Sequence, residues 1–235
     1  MFPIRAARRN EHTPYMTYML IAVNVVIFLW QTTLSEAQLS QLYMTAGFIP
    51  CKVSANFFAP DSFFSGITSM FLHGGWLHLL GNMLFLYTFG PAVEDYLGKR
   101  LYLLFYIGAG LSGSLMHMLF SSGVCVPAIG ASGAILGLMG GFLLLYPATR
   151  IVTVVLLWRF PVGIQRIAAF YVLLSYFVLD LINGIASLGP ETAATEGVAF
   201  WAHVGGFLAG FVMSFIIMTF KPLPPVDPFA YLDEE

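Results

Sequence analysis

From Leu101 to Thr149 the chain carries no Asp, Glu, Lys or Arg. A charge-free stretch of that length leaves room for two membrane spans and a short connection, because one helical span needs about 20 mostly apolar residues. Composition agrees: hydrophobic residues make up 58% and charged residues 9% of the 235, against roughly 45 to 50% and about 25% in soluble domains. Hydrocarbon offers backbone N–H and C=O groups no partner, so apolar runs of this length must satisfy themselves as helices. Six segments qualify, at 15–33, 70–90, 101–120, 129–147, 163–183 and 199–220. The fold class read from them is all-α, a polytopic membrane protein built as one six-helix bundle over 15–220. Residues 1–14 precede it, and a Pro-rich tail, 221–235, is expected to be disordered. The run from Ile151 to Trp158 is also apolar, but eight residues cannot cross about 30 Å of hydrocarbon, so an interfacial loop is expected there.

Orientation follows from the basic residues. The N-terminus, Lys99 and Arg100, Arg150, Arg159 and Arg166, and Lys221 fall on one side, which takes nine of the ten; only Lys52 falls opposite, with Glu36, Asp61, Glu191 and Glu196. Both termini are therefore expected in the cytoplasm, with the first loop and residues 184–198 outside. No small-residue cleavage site follows the first apolar run, so it reads as a retained helix rather than a signal peptide. A net charge of -2 without a basic tract gives no reason to expect nucleic acid. Two cysteines cannot form a disulfide scaffold. Cys51 and Cys125 both fall outside, where oxidation would allow a bond, but two free thiols are the favoured expectation. Inverted repeats of the transporter kind are not visible.

Ionisable and nucleophilic side chains at membrane depth are costly and point to function. Ser132 stands in the run Gly130, Ala131, Ser132, Gly133, and His203 lies in an apolar span about seventy residues later. A lone membrane serine more often bonds its own backbone, and a lone histidine is as often a satisfied interior group. A Gly-x-Ser-x-Gly elbow is excluded by Ala134. His203, Gly206 and Gly210 share one helix face, as do Gly133, Gly137 and Gly141, and glycine faces let helix backbones approach closely. Packing those two faces would bring the Ser132 hydroxyl near the imidazole. His78 and Asn82, four apart in the second span, are two donors on one face, readable as a structural pair or as oxyanion donors.

The run His78, Leu79, Leu80, Gly81, Asn82, the run Gly130 to Gly133, and Ala202, His203, Val204, Gly205, Gly206 together resemble the rhomboid family of intramembrane serine proteases. They stand in family order on the second, fourth and sixth spans, with Gly90, Glu94 and Gly98 fitting the usual end of the second helix. The resemblance implies a rhomboid-like six-helix core and a catalytic dyad of Ser132 and His203 without an acidic third member. It further implies an oxyanion hole from His78, Asn82 and the Ser132 N–H, and transmembrane protein substrates within the lipid bilayer. It implies no cofactor and no metal. Gly130, Gly133, Gly137, Gly206 and Gly210 would support the site structurally. Leu136 departs from the pattern, because many members place an aromatic ring there against the imidazole.

Asp180 is expected to cap a helix or line water rather than to act on His203. His73 and His117 read as structural, and Glu94 as a tie to neighbouring N–H or basic groups. Residues 184–198, with Gly184, Gly189, Pro190 and Gly197, read as a lid over the site. A multi-pass protein of a bacterial inner membrane is expected. Two other functions fit the composition: a non-proteolytic adaptor that binds membrane clients, and a small-molecule transporter.

Overall fold

The computed structural model describes residues 2–8, 10–157, 160–188 and 199–222. Strand β1 (Phe2–Ala6) is followed by α1 (Tyr15–Gln31), then by three short helices, α2 (Glu36–Ala46), α3 (Pro50–Ala55) and α4 (Pro60–Thr68). Helices α5 (Trp76–Leu97), α6 (Lys99–Ser121) and α7 (Ser132–Leu145) come next; strands β2 (Arg150–Leu157) and β3 (Phe160–Ala168) lead into α8 (Ala169–Ala186) and α9 (Phe200–Met218). Three of these, α6, α8 and α9, are long and apolar enough to cross a membrane, and α1 and α7 are shorter apolar helices. The protein is a mostly helical integral membrane protein; the count of six spans is not itself established by helix length.

Two expectations are corrected. The fold is not all-α: β1, β2 and β3 form an antiparallel sheet in that order. Residues 151–157 are the central strand of that sheet instead of an interfacial loop, and 163–168 belong to β3, so the helix expected from 163 begins at Ala169. The β-branched run Ile151, Val152, Thr153, Val154, Val155 suits a pleated surface. Ile151 and Thr153 are buried while Val152 and Val154 are only half-buried, the period of two that a one-sided strand requires. Pro3 lacks an N–H and is tolerated because β1 is an edge strand. Thr88 of α5 donates its hydroxyl to the Ile4 carbonyl at 3.2 Å, which lays the sheet along α5.

Several charged residues cluster where the segment before α1 meets the end of α5. Glu94 is buried and accepts the Met16 and Thr17 N–H groups at 2.9 and 2.7 Å and the Thr17 hydroxyl at 2.8 Å. An anion thus satisfies the otherwise bare N-terminus of α1, in keeping with the tie expected of Glu94. Asp95 accepts the N–H groups of Glu11 and His12 at 3.0 Å each, and Lys221 donates to the Tyr96 carbonyl.

At the other end the first loop braces the approach to α7. Phe48 and Ala128 exchange both backbone hydrogen bonds, at 3.0 and 2.7 Å, and the Cys51 N–H donates to the Val124 carbonyl at 3.0 Å. Cys51 and Cys125 are joined in a disulfide, with Cα atoms 5.2 Å apart, so the free-thiol expectation is overturned. The two strands of chain that the backbone bonds hold together bring the thiols within bonding distance, which residue count alone could not show. Gly130 donates to the Ser69 carbonyl at 2.8 Å. Gln31 clamps the backbone of buried His73 from both sides, donating to its carbonyl at 3.0 Å and accepting its N–H at 3.1 Å, and Tyr43 donates to the same carbonyl. His73 therefore does anchor the first loop, through its backbone.

Helix α7 is almost wholly buried, wedged between α6 and α9. A Cβ at Gly206 would run into the Gly133 carbonyl, and one at Gly210 into the Gly137 carbonyl. Side chains at these positions would force α7 and α9 apart. Gly206→Val should therefore destabilise the bundle by at least about 1–3 kcal/mol, the usual cost of overpacking. Gly108→Ala, whose Cβ meets only Met213 Sδ at 3.5 Å, should leave thermal melting in detergent nearly unchanged; equal melting of the two variants would refute the packing account. The disulfide spans a sequence separation of 74, and a loop of that size is worth up to about 4.5 kcal/mol in the chain-entropy picture. Cys51→Ser should lower the melting temperature by roughly 5 to 10 °C. Intact mass after alkylation without reductant checks the bond directly, since two alkylated thiols in the unmodified protein would exclude it.

Candidate active site

Ser132 is the first residue of α7, rather than lying three or four residues inside the helix as its span suggested. Its place follows from the backbone before it. Gly130 adopts φ +121°, a conformation that side-chain-bearing residues rarely take, and this turn swings the chain from the braced segment into α7. The first N–H groups of a helix have no partner within it, so the start of α7 presents free donors and the positive end of the helix dipole beside the serine oxygen.

His203 lies in the first turns of α9, and its Nε2 is 2.8 Å from Ser132 Oγ. The Gly133 and Gly206 contact makes that distance possible, because each glycine adjoins or follows by one turn the residue that it serves. The other imidazole nitrogen is also engaged: Nδ1 lies 3.1 Å from Asp180 Oδ2, with the two side chains 15% and 16% exposed. This corrects the sequence reading, which kept Asp180 apart from the site and left the serine and histidine without an acidic neighbour. The available signal was a carboxylic acid in an apolar span, a costly placement that ordinarily marks function.

His78 and Asn82 share the inner face of α5. A Cβ built on Gly130 would stand 2.7 Å from both Cε1 and Nε2 of His78 and 3.5 Å from Asn82 Nδ2, so both side chains converge on the backbone two residues before Ser132. The Gly74 N–H approaches His78 Nδ1 at 3.4 Å. With Nδ1 accepting, neutral His78 carries its proton on Nε2, the atom turned toward Gly130. Asn82 is buried, and its Nδ2 has no hydrogen-bond partner among the described residues. A buried amide donor left idle is unusual in a folded protein and is available to an acceptor entering from outside.

Of the other residues singled out, Gly133, Gly137, Gly206 and Gly210 line the α7 and α9 contact, as the spacing required. Leu136 is buried in the main core. The Phe200 ring, one turn earlier on the same helix, lies edge-on to the His203 imidazole at 6.5 Å. The His73 ring packs edge-on against His78 at 5.1 Å. His117 of α6 has its Nδ1 buried without a hydrogen-bond partner among the described residues. Gly189, Pro190 and Gly197 of the expected lid, and the tail from residue 223, lie outside the described residues.

The chemical capacity of this constellation is nucleophilic attack on a carbonyl. A serine oxygen contacts a base, and donors from α5 and the α7 N-terminus sit to one side, where a developing negative charge would need them. Among the described residues no group of three or more His, Cys, Asp or Glu side chains could hold a metal ion.

Residues 60–220 match the family model described as the Rhomboid domain. RHOMBOID-like protein 5 of Arabidopsis thaliana is 32% identical over 162 residues, covering 69% of this chain and 46% of the relative. The putative rhomboid protease YdcA of Bacillus subtilis is 31% identical over 156 residues, covering 66% and 67%. Rhomboid protein 1, mitochondrial, of Saccharomyces cerevisiae is 30% identical over 159 residues, covering 65% and 42%. The chain thus spans less than half the length of the plant and yeast relatives. The matched region makes up most of the sequence and holds Ser132, His203, His78, Asn82 and Asp180 together, and on that ground the chain belongs to the rhomboid family.

Proposed function

We propose that this protein is an intramembrane serine endopeptidase that hydrolyses peptide bonds within or next to transmembrane segments of other membrane proteins, with Ser132 as nucleophile and His203 as base. The observation that carries this reading is the 2.8 Å contact between His203 Nε2 and Ser132 Oγ in a chain of the rhomboid family. His203 takes the hydroxyl proton as Oγ bonds to the substrate carbonyl carbon, and the carbonyl π electrons move onto oxygen. That oxyanion rests on His78 Nε2–H, Asn82 Nδ2–H and the Ser132 N–H. As the tetrahedral intermediate collapses, the C–N bond breaks and His203 returns its proton to the leaving amine. Water then attacks the acyl-enzyme by the same route.

Geometry supports a reaction below the membrane surface. Fourteen residues make α7 about 21 Å long, shorter than the roughly 30 Å of hydrocarbon. With its Leu145 end near one interface, Ser132 lies some way beneath the other, and water reaches it through the partly exposed His203 side. A helical substrate has its carbonyls engaged, so a transmembrane segment that unwinds easily is the preferred client. We further propose six spans within 15–220, counting α1, α5, α6, α7, α8 and α9, with both termini cytoplasmic in a bacterial inner membrane; the end where Arg8, Lys99 and Lys221 gather would face inward. Neither the adaptor nor the transporter reading gains support from an observation that the protease reading lacks.

Purified protein in lipid should cleave a transmembrane reporter, and Ser132→Ala or His203→Ala should reduce turnover by at least about a thousandfold while melting normally. A fluorophosphonate probe should label the wild type and not Ser132→Ala. Cleavage that survives in Ser132→Ala would eliminate the mechanism. Asn82→Ala should lower kcat by about 10²- to 10³-fold with little change in KM, the signature of a donor used only in the transition state. An Asn82→Ala enzyme with normal kcat would remove that residue from the oxyanion site.

A further inference from the structure

We infer that Asp180 completes a serine, histidine and aspartate triad in this protein, as the residue that positions His203 and stabilises its charged form; the inference rests on the protease reading above. The first ground is the tautomer. For Nε2 to accept the serine proton it must be unprotonated in the resting enzyme, which requires the imidazole proton on Nδ1. Asp180 Oδ2 stands 3.1 Å from that nitrogen and accepts its N–H. A carboxylate accepts hydrogen bonds and cannot donate, so this contact selects the one tautomer able to serve as base.

The second ground is the register of α8 on α9. Phe177, Asp180 and Gly184 follow one another at spacings of three and four, on one face of α8. That face is held at both ends. The Phe177 ring packs on Phe207 with centroids 4.8 Å apart, and Gly184 admits the Trp201 indole, whose Cε2 would lie 3.3 Å from a Cβ there. Phe207 is one turn beyond His203 on the same face of α9. Asp180 is therefore set opposite His203 by packing on either side, rather than reaching it through a freely rotating surface side chain.

The third ground is what the site otherwise lacks. The rhomboid resemblance would put an aromatic ring at position 136 against the imidazole, and Leu136, buried in the core, offers none. A carboxylate hydrogen bond holds an imidazole in plane more directionally than ring stacking does. In the reaction, as Ser132 Oγ bonds to the carbonyl carbon and its proton passes to Nε2, His203 becomes an imidazolium. Asp180 remains ionised and keeps its bond to Nδ1–H while the proton waits on Nε2 for the leaving amine. Among the described residues Asp180 is the carboxylate that reaches His203. Asp180 is thus the acid among the described residues that stabilises the imidazolium.

The test compares wild type, Asp180→Asn and Asp180→Glu in lipid, with melting curves and fluorophosphonate labelling in parallel. Asp180→Asn should lose about 10- to 1000-fold in kcat with KM changed less than about threefold. Asp180→Glu should recover part of the rate, because it restores a carboxylate to Nδ1. A folded Asp180→Asn enzyme with unchanged kcat, beside an active wild type, overturns the triad and leaves the serine and histidine reading intact. Wild-type protein that neither cleaves nor labels overturns the protease reading and this inference together.

Discussion

The close approach of α7 and α9 governs the rest of the site. Gly206 lies against the Gly133 carbonyl and Gly210 against the Gly137 carbonyl, so the two helices meet backbone to backbone over a full turn. In lipid no hydrophobic force drives helices together, and small residues that permit dense packing take its place. One turn from this seam on one helix, and adjoining it on the other, stand His203 and Ser132. Their 2.8 Å separation is a consequence of the glycine seam, and the wedge of α7 between α6 and α9 keeps it from relaxing.

A second set of restraints acts on the other side of the serine. The Phe48 and Ala128 bridge, the Cys51 and Cys125 disulfide and the Ser69 bond to Gly130 hold the segment before α7 against the first loop. Gln31 and Tyr43 hold the His73 backbone just before α5 begins. The donors on α5 and the turn at Gly130 are thus fixed to a common frame, so His78 and Asn82 meet the backbone leading to Ser132 at short range. A site whose donors are already in place at rest need not reorganise as charge develops, which is the source of oxyanion stabilisation.

Some polar groups at depth are paired, whereas others, Ser214 Oγ and Trp201 Nε1 among them, have no hydrogen-bond partner among the described residues. Glu94 is satisfied by the start of α1, and Asp180 by His203. Asn82 keeps an idle buried donor beside the serine. Glu94 completes a helix end, whereas Asp180 bonds the imidazole that contacts Ser132 and Asn82 faces the Gly130 turn before it, from two different helices.

Much was legible in the sequence. Apolar runs marked the helices, because backbone groups in lipid must bond within their own segment. Glycines at spacings of three and four marked the helix faces that meet, and the runs at His78, Gly130 and His203 marked the residues that would cluster there. These are local or periodic signals, readable without knowing which element lies beside which. The structure alone decided the pairing of β1 with β2, the joining of Cys51 to Cys125 and the placing of Asp180 on His203. Each depends on segments distant in the chain. For Asp180, moreover, α8 runs Ala169–Ala186 instead of 163–183, which sets the residue further from the helix end than its span indicates. Composition determined that this chain enters a membrane as helices. Which side chains face one another inside it was set by the packing of backbones, a property of the assembled bundle that no single span contains.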